Sequence, residues 1–119
     1  MWGRKSSEEV QQTLENIPFE TVSGKRLAQP LTLFALSTCG FCRRAIGYLN
    51  DQGYAYRFVH MDKLPKSEQD AIRAHVKRVY RTALSFPLLC LGDKDHLSGF
   101  IKASWEQELH RLEEKSHDQ

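Results

Sequence analysis

Hydrophobic positions along this chain switch between two spacings, and the switches divide it into elements. Leu31 to Leu36 is a short, almost wholly apolar run, the pattern of a strand buried on both faces. Ser37 to Cys42 carries turn and cap residues. Cys42, Ala45, Ile46 and Leu49 then fall on one face of a helix that Gly53 ends. Tyr54 to His60 alternates, and Tyr54, Tyr56, Phe58 and Val59 favour β structure. Strand, helix and strand within about thirty residues predict a βαβ unit, whose crossover makes the two strands parallel.

The second half follows a different order. Pro65 and Ser67 open a helix with Ile72, Val76 and Val79 as its buried stripe, and its charged remainder (Lys66, Glu68, Asp70, Arg73, Lys77, Arg78) reads as a solvated face. Pro87 to Leu91 is a third apolar strand. Gly92-Asp93-Lys94-Asp95 is turn chemistry, so His96 to Phe100 should return antiparallel as a hairpin. Ser104 with Gln107 predicts the cap of a last helix that buries Trp105, Leu109 and Leu112. From Lys115 the chain is polar and is expected to fray. Upstream, Ser6 and Glu9 make a capping box for a short helix carrying Val10, Leu14 and Ile17 as far as Pro18, with Phe19 to Val22 as a short strand.

These elements predict an α/β chain with a thioredoxin-like arrangement: a four-stranded mixed sheet, ordered βαβ, α, ββα and flanked by helices. Residues 1–30 form an amino-terminal extension, 31–114 the domain, and 115–119 a frayed tail. The 119 residues suffice for one domain. With 40% hydrophobic and 27% charged residues, the composition is that of a globular chain able to form a core. A net charge of +2 gives no strong pull toward nucleic acid or anionic membranes. No apolar run reaches the roughly 20 residues of a membrane span, and Met1 to Glu9 lacks the apolar stretch of a secretory signal. The expected setting is cytoplasmic, and the expected state a monomer.

Three cysteines change the picture, because Cys39 and Cys42 stand three apart at the predicted helix start. In a reducing compartment this spacing points to redox or metal chemistry, not to a structural disulfide. A thiolate at Cys39 would face unpaired backbone N–H groups and the positive end of the helix dipole. Cys42, one turn inside, could then resolve a mixed disulfide formed by Cys39. Arg43 and Arg44 add positive charge nearby. Zinc sites use the same spacing but normally need four ligands. The remaining Cys90 and the five histidines (His60, His75, His96, His110, His117) show no paired motif. A metal or iron–sulfur carrier using the pair from two subunits therefore stands as the alternative, and no metal ligands are assigned. Cys90, among leucines, reads as a small buried hydrophobe.

Ser37-Thr38-Cys39-Gly40-Phe41-Cys42-Arg43-Arg44-Ala45 resembles the glutaredoxin family, and the likeness extends over roughly Leu31 to Leu112. Ser85-Phe86-Pro87 matches the place where that fold carries a cis-proline facing the cysteines. Ser98-Gly99-Phe100 matches the turn before its last helix. The resemblance implies a thiol–disulfide oxidoreductase and electron carrier with Cys39 and Cys42 as catalytic residues. Thr38, Gly40, Phe41, Phe86, Pro87, Gly99 and Phe100 would contact a disulfide-containing protein substrate.

The sequence also departs from that pattern. Glutathione-using members usually carry a lysine three residues before the first cysteine, where this chain has Leu36. They also carry a Gly-Gly pair and a polar or acidic residue where this chain reads Ser98-Gly99-Phe100-Ile101. The segment looks more like the glutaredoxin-like hydrogen donor of ribonucleotide reductase, which is served by a flavin-dependent reductase. Related proteins of anaerobic microbes look similar and point to a ferredoxin-linked thioredoxin reductase. No tightly bound cofactor is implied, and glutathione would have only Lys63, Lys102, Arg43 or Arg44 as carboxylate partners. The arsenate-reductase-like branch shares the cysteine spacing but places arginine before its cis-proline, where this chain has Phe86.

Overall fold

Five strands and three helices make up the computed structural model, which describes Leu14 and residues 16–117. The strands are β1 (Glu20–Val22), β2 (Leu31–Ala35), β3 (Tyr56–His60), β4 (Leu88–Leu91) and β5 (Asp95–Ser98). The helices are α1 (Gly40–Asp51), α2 (Lys66–Tyr80) and α3 (Lys102–His117), with a 3₁₀ turn at Met61–Lys63. The capping box at Ser6 and Glu9 lies outside the described residues. No helix among them is long and apolar enough to cross a membrane.

The apolar run of β2 is the centre of the sheet, buried at every position. It pairs parallel with β3, and β4 pairs antiparallel with β5, as the spacing predicted; β2 also pairs antiparallel with β4. The expected count of four strands is corrected to five, in the order β1-β3-β2-β4-β5. β1, from the end of the amino-terminal extension, lies antiparallel on the edge of β3, with Thr21 opposite Arg57.

Alternation along the strands creates two cores. Leu31, Leu33, Tyr54, Tyr56, Leu89 and Leu91 face α1 and α3, where Ala45, Leu49, Trp105 and Leu109 complete a buried cluster. Phe34, Val59, Leu88 and Cys90 face the other way, toward Ile72 and Val76 of α2 and toward Ile17, Met61 and Leu64. Among the described residues, α1 and α3 thus cover one face and α2 the other.

Local chemistry sets the helix ends. At the end of α1, Gly53 takes a left-handed φ of 74°, which a residue lacking Cβ adopts freely. Its N–H donates to the Asn50 carbonyl, and the Tyr54 N–H to that of Leu49, a Schellman closure that aims the chain into β3. The last helix starts at Lys102, not at the Ser104 box: the Trp105 N–H donates to the Ile101 carbonyl, so the first turn closes earlier. It also continues to His117, past the point where fraying was expected.

Candidate functional site

The register brings four loops to one end of the sheet. Phe34 lies opposite Leu88, Ala35 opposite His60, and Leu88 opposite Ser98. The chain leaving β2 toward Cys39, the turn after β3, the Phe86–Pro87 entry to β4 and the Gly99 turn after β5 therefore share that end. Loops after adjacent parallel strands meet this way in α/β sheets, where such an end commonly binds ligands.

Cys39 is the N-cap of α1, with extended backbone (φ −92°, ψ 116°). Its Sγ accepts a hydrogen bond from the Cys42 N–H at 3.2 Å, in the place where a serine or aspartate oxygen would cap an ordinary helix. That bond strengthens as the sulfur gains negative charge. Cys39 is partly exposed, whereas Cys42 is buried, and both thiols are free. Burial first, then the hydrogen bond with Cys39 and the Cys39 charge, push the Cys42 thiol up to about 12; a backbone contact with Leu36 pulls only partly the other way. One sulfur of the pair is reachable, and the other is held protonated behind it.

The other predicted contact residues fall on the same end of the sheet but differ in accessibility. Thr38 and Gly40 are exposed. Phe41 is 59% exposed, with the Arg44 guanidinium 5.6 Å from its ring centre. The Phe86–Pro87 bond is cis, as the resemblance implied, with Pro87 buried and Phe86 half-buried against the α2-face core. Gly99 adopts φ 69° and donates its N–H to the Pro87 carbonyl at 2.8 Å, joining two of the loops directly. Phe100 is half-buried, edge-on to Trp105 with ring centres 4.9 Å apart, and Trp105 Nε1 donates to the Gly99 carbonyl at 3.0 Å. The Gly99-Phe100 turn is thereby fixed to the core by α3. Leu36, at the position of the usual lysine, is half-buried in the α2-face core.

Two features of this end were missed in the sequence. Asp62, in the 3₁₀ turn after β3, accepts the Ser37 backbone N–H at 2.9 Å and the Ser37 hydroxyl. These bonds hold the Asp62 carboxyl below the usual carboxylate range and fasten the loop that leads into Cys39. Its signal was the parallel pairing of β2 and β3, which sends their loops to one end. Ile101, which follows the Gly99-Phe100 turn, is 62% exposed and, like Phe41, leaves a large apolar side chain uncovered. Among the described residues, no group of three or more histidine, cysteine, aspartate or glutamate side chains gathers to hold a metal ion.

Comparison with known proteins agrees with this arrangement. Residues 31–96, more than half of the chain, match the family model described as Glutaredoxin. Among solved structures, the chain is similar to a glutaredoxin of Methanosarcina mazei Go1, at 26% identity and TM-score 0.67, covering 76% of this chain and 86% of that one. It is also similar to methanoredoxin of Methanosarcina acetivorans, at 28% identity and TM-score 0.65, covering 73% and 90%. A glutaredoxin (grx-1) of Archaeoglobus fulgidus follows at 26% identity and TM-score 0.59, covering 71% and 88%. No match is found among curated protein sequences.

Proposed function

The chain belongs to the glutaredoxin family, and from that premise we propose that it is a dithiol oxidoreductase that reduces protein disulfides through Cys39 and Cys42. The observation that carries the reading is the Cys42 N–H bond to a partly exposed Cys39 Sγ at the cap of α1, with the Cys42 thiol buried behind it.

The Cys39 thiolate attacks one sulfur of a substrate disulfide. A new S–S bond forms between Cys39 and that sulfur, and the other substrate sulfur leaves as a thiolate. At this point the Cys39 charge is gone, and with it two of the causes that keep Cys42 protonated. The Cys42 proton passes to the released thiolate, and the Cys42 sulfur attacks Cys39. The Cys39–Cys42 disulfide forms and the reduced substrate departs. The protein has then given up two electrons. Attack by Cys42 is therefore suppressed until a substrate sulfur occupies Cys39, which sets the order of the two steps.

Recycling returns two electrons to the disulfide, and a flavin- or ferredoxin-linked thioredoxin reductase is the proposed source. Leu36, turned into the core in place of a lysine, offers a glutathione carboxylate nothing, and the Ser98-Gly99-Phe100 turn lacks a second glycine. Thr38, Gly40, Phe41, Phe86, Pro87, Gly99 and Phe100 form the proposed contact surface for the substrate chain. This reading sets the protein in the cytoplasm, where thiols are kept reduced, acting as a monomer without a tightly bound cofactor. The test is reduction of the oxidised protein by glutathione, by a flavin-dependent thioredoxin reductase and by a ferredoxin-linked one, with insulin as the disulfide substrate. Turnover with a reductase and little with glutathione is expected. Rapid reduction by glutathione alone overturns the proposed electron source, and no insulin reduction with any donor overturns the activity.

A further inference from the structure

Because α2 is the one complete helix on its face of the five-stranded sheet among the described residues, those residues leave part of that face open at the end away from the cysteine pair. A cleft of about 640 Å³ lies there, within the usual range for small-molecule sites. Its floor follows from register. Arg57 lies opposite Thr32, and Thr32 opposite Cys90, two residues along each strand from the apolar row of Val59, Phe34 and Leu88 and so on the same face. His75 and Tyr80 of α2 line it from above, and Phe19 stands at its lip. Neither Cys39 nor Cys42 lines it.

We propose that this cleft is a second binding site, separate from the thiol chemistry, for a small carboxylate with an apolar body. Three observations on different residues converge. First, the Arg57 guanidinium is fixed in place: Nε donates to Thr32 Oγ1 at 2.9 Å, and the group lies 4.2 Å from the Phe19 ring centre. The ion pairs among the described residues join Lys25 to Glu113 and Arg111 to Glu108, so no described carboxylate pairs with this cation. Second, His75 Nδ1 is buried with no hydrogen-bond partner among the described residues, an unusual state for a polar atom. As the Nδ1–H tautomer, and with a small turn of the half-buried ring toward the cleft, it would donate to a carboxylate oxygen. Third, Phe19, Phe34, Pro30 and Leu14 give the cleft an apolar wall, and the single carboxylate lining it among the described residues, Asp93, is exposed in the β4–β5 turn. A held cation, an unpaired imidazole nitrogen and apolar walls select a carboxylate head on an apolar body; a cationic ligand would meet Arg57 unfavourably.

The test is calorimetric titration of the reduced full-length chain with octanoate, followed in parallel by the His75 ring resonances. Saturable binding at one site with movement of the His75 signals is expected, and octanol should bind more weakly because it lacks the charge. Arg57→Gln should weaken octanoate binding about ten- to a hundredfold, the value of a charge-assisted hydrogen bond, while insulin reduction is unchanged. His75→Phe, which keeps a ring but removes Nδ1, should weaken it less. No saturable binding, equal binding by the Arg57 variant, or binding that leaves His75 unmoved overturns the proposal. Binding by a variant lacking residues 1–13 but not by the full chain would overturn it too, since the chain's own amino terminus would then be the occupant.

Discussion

Cys42 and Cys90 are each 1% exposed, and burial pushes both thiols up to about 12, yet they belong to two different regions of the molecule. Cys42 lies one turn inside a helix whose cap is another sulfur. Cys90 lies inside a strand, between Leu89 and Leu91, where a hydrogen bond with Tyr80 and the Arg57 charge pull its thiol down without offsetting burial. Burial alone therefore does not distinguish the thiol proposed to react from the one expected to be inert. What differs is whether part of the push can be removed. At Cys42 the Cys39 sulfur supplies part of it, and a mixed disulfide at Cys39 cancels that part. At Cys90 the largest cause is the packed strand itself, which no step of the proposed reaction alters.

The largest expected effects break the comparison at the sulfur atoms. Cys39→Ser should reduce insulin reduction to background. Cys42→Ser should retain attack but stop at a mixed disulfide with substrate, visible by mass spectrometry. Cys90→Ser should keep full turnover. Loss of turnover in the Cys90 variant at a temperature where it stays folded would join the two regions in one mechanism. Stability should show the reverse pattern. A serine hydroxyl at position 90 must be buried among leucines, at a cost of about 1–3 kcal/mol. That cost would be read as a lower denaturant midpoint with unchanged slope.

How far each region was legible in the sequence follows from the range of the interactions that make it. The cysteine pair, the cap at Cys39 and the end of α1 at Gly53 depend on residues within a few positions of one another, and local spacing carries them. So does the hairpin of β4 and β5. β1 is different: a short strand over Phe19 to Val22 is legible, but its place as the fifth strand of the sheet is settled by hydrogen bonds to β3, more than thirty residues on in the chain. Asp62 reaches Ser37 across 25 residues, so nothing local marks it. The α2-face cleft is more remote still from any local signal. It follows from the number of helices on each face and from the row that joins Arg57, Thr32 and Cys90 across three strands. The start of α3 was misplaced because Ser104 and Gln107 have the composition of a capping box, while the Ile101 carbonyl closes the first turn three residues before Ser104.

Alkaline pH should sharpen the comparison in a graded way. In the folded chain both buried thiols titrate near 12, and in the unfolded chain near the ordinary value of 9.0. Between those limits the unfolded state binds fewer protons than the folded one. Stability of the dithiol form is thus fully present below about pH 9 and falls as pH rises toward 12. Oxidation to the Cys39–Cys42 disulfide removes the Cys42 contribution and leaves that of Cys90. Denaturant midpoints measured from pH 8 upward should fall less steeply for the oxidised protein, and Cys90→Ala should flatten the oxidised curve further. Equal slopes for both redox forms would mean that Cys42 is not the protonated partner described above.

The smallest effect concerns Asp62, whose carboxylate acts on the pair in two opposed ways. By accepting both Ser37 donors it fixes the loop into Cys39, and by its charge it adds slightly to the push on the Cys42 thiol. Asp62→Ala removes both, so the loop loosens while the resolving thiol is eased. Asp62→Asn loses the charge but keeps one oxygen to accept the Ser37 N–H, and its amide N–H can donate to the Ser37 hydroxyl in place of the second acceptor. Insulin reduction should therefore fall a little for the alanine variant and hold or rise slightly for the asparagine one. Acid pH gives an independent readout. The Asp62 carboxyl sits below its ordinary value of 3.8 in the folded chain, so its contribution is fully present above that pH and is lost as pH falls through the folded value. The asparagine variant, having no proton to gain there, should show a shallower loss of stability below pH 4 than the parent. If both variants lose activity equally, the negative charge and not the hydrogen-bonded geometry is what the cysteine end requires of the β3 loop. Equal acid sensitivity in parent and asparagine variant would remove the Ser37 contact from the account of either region.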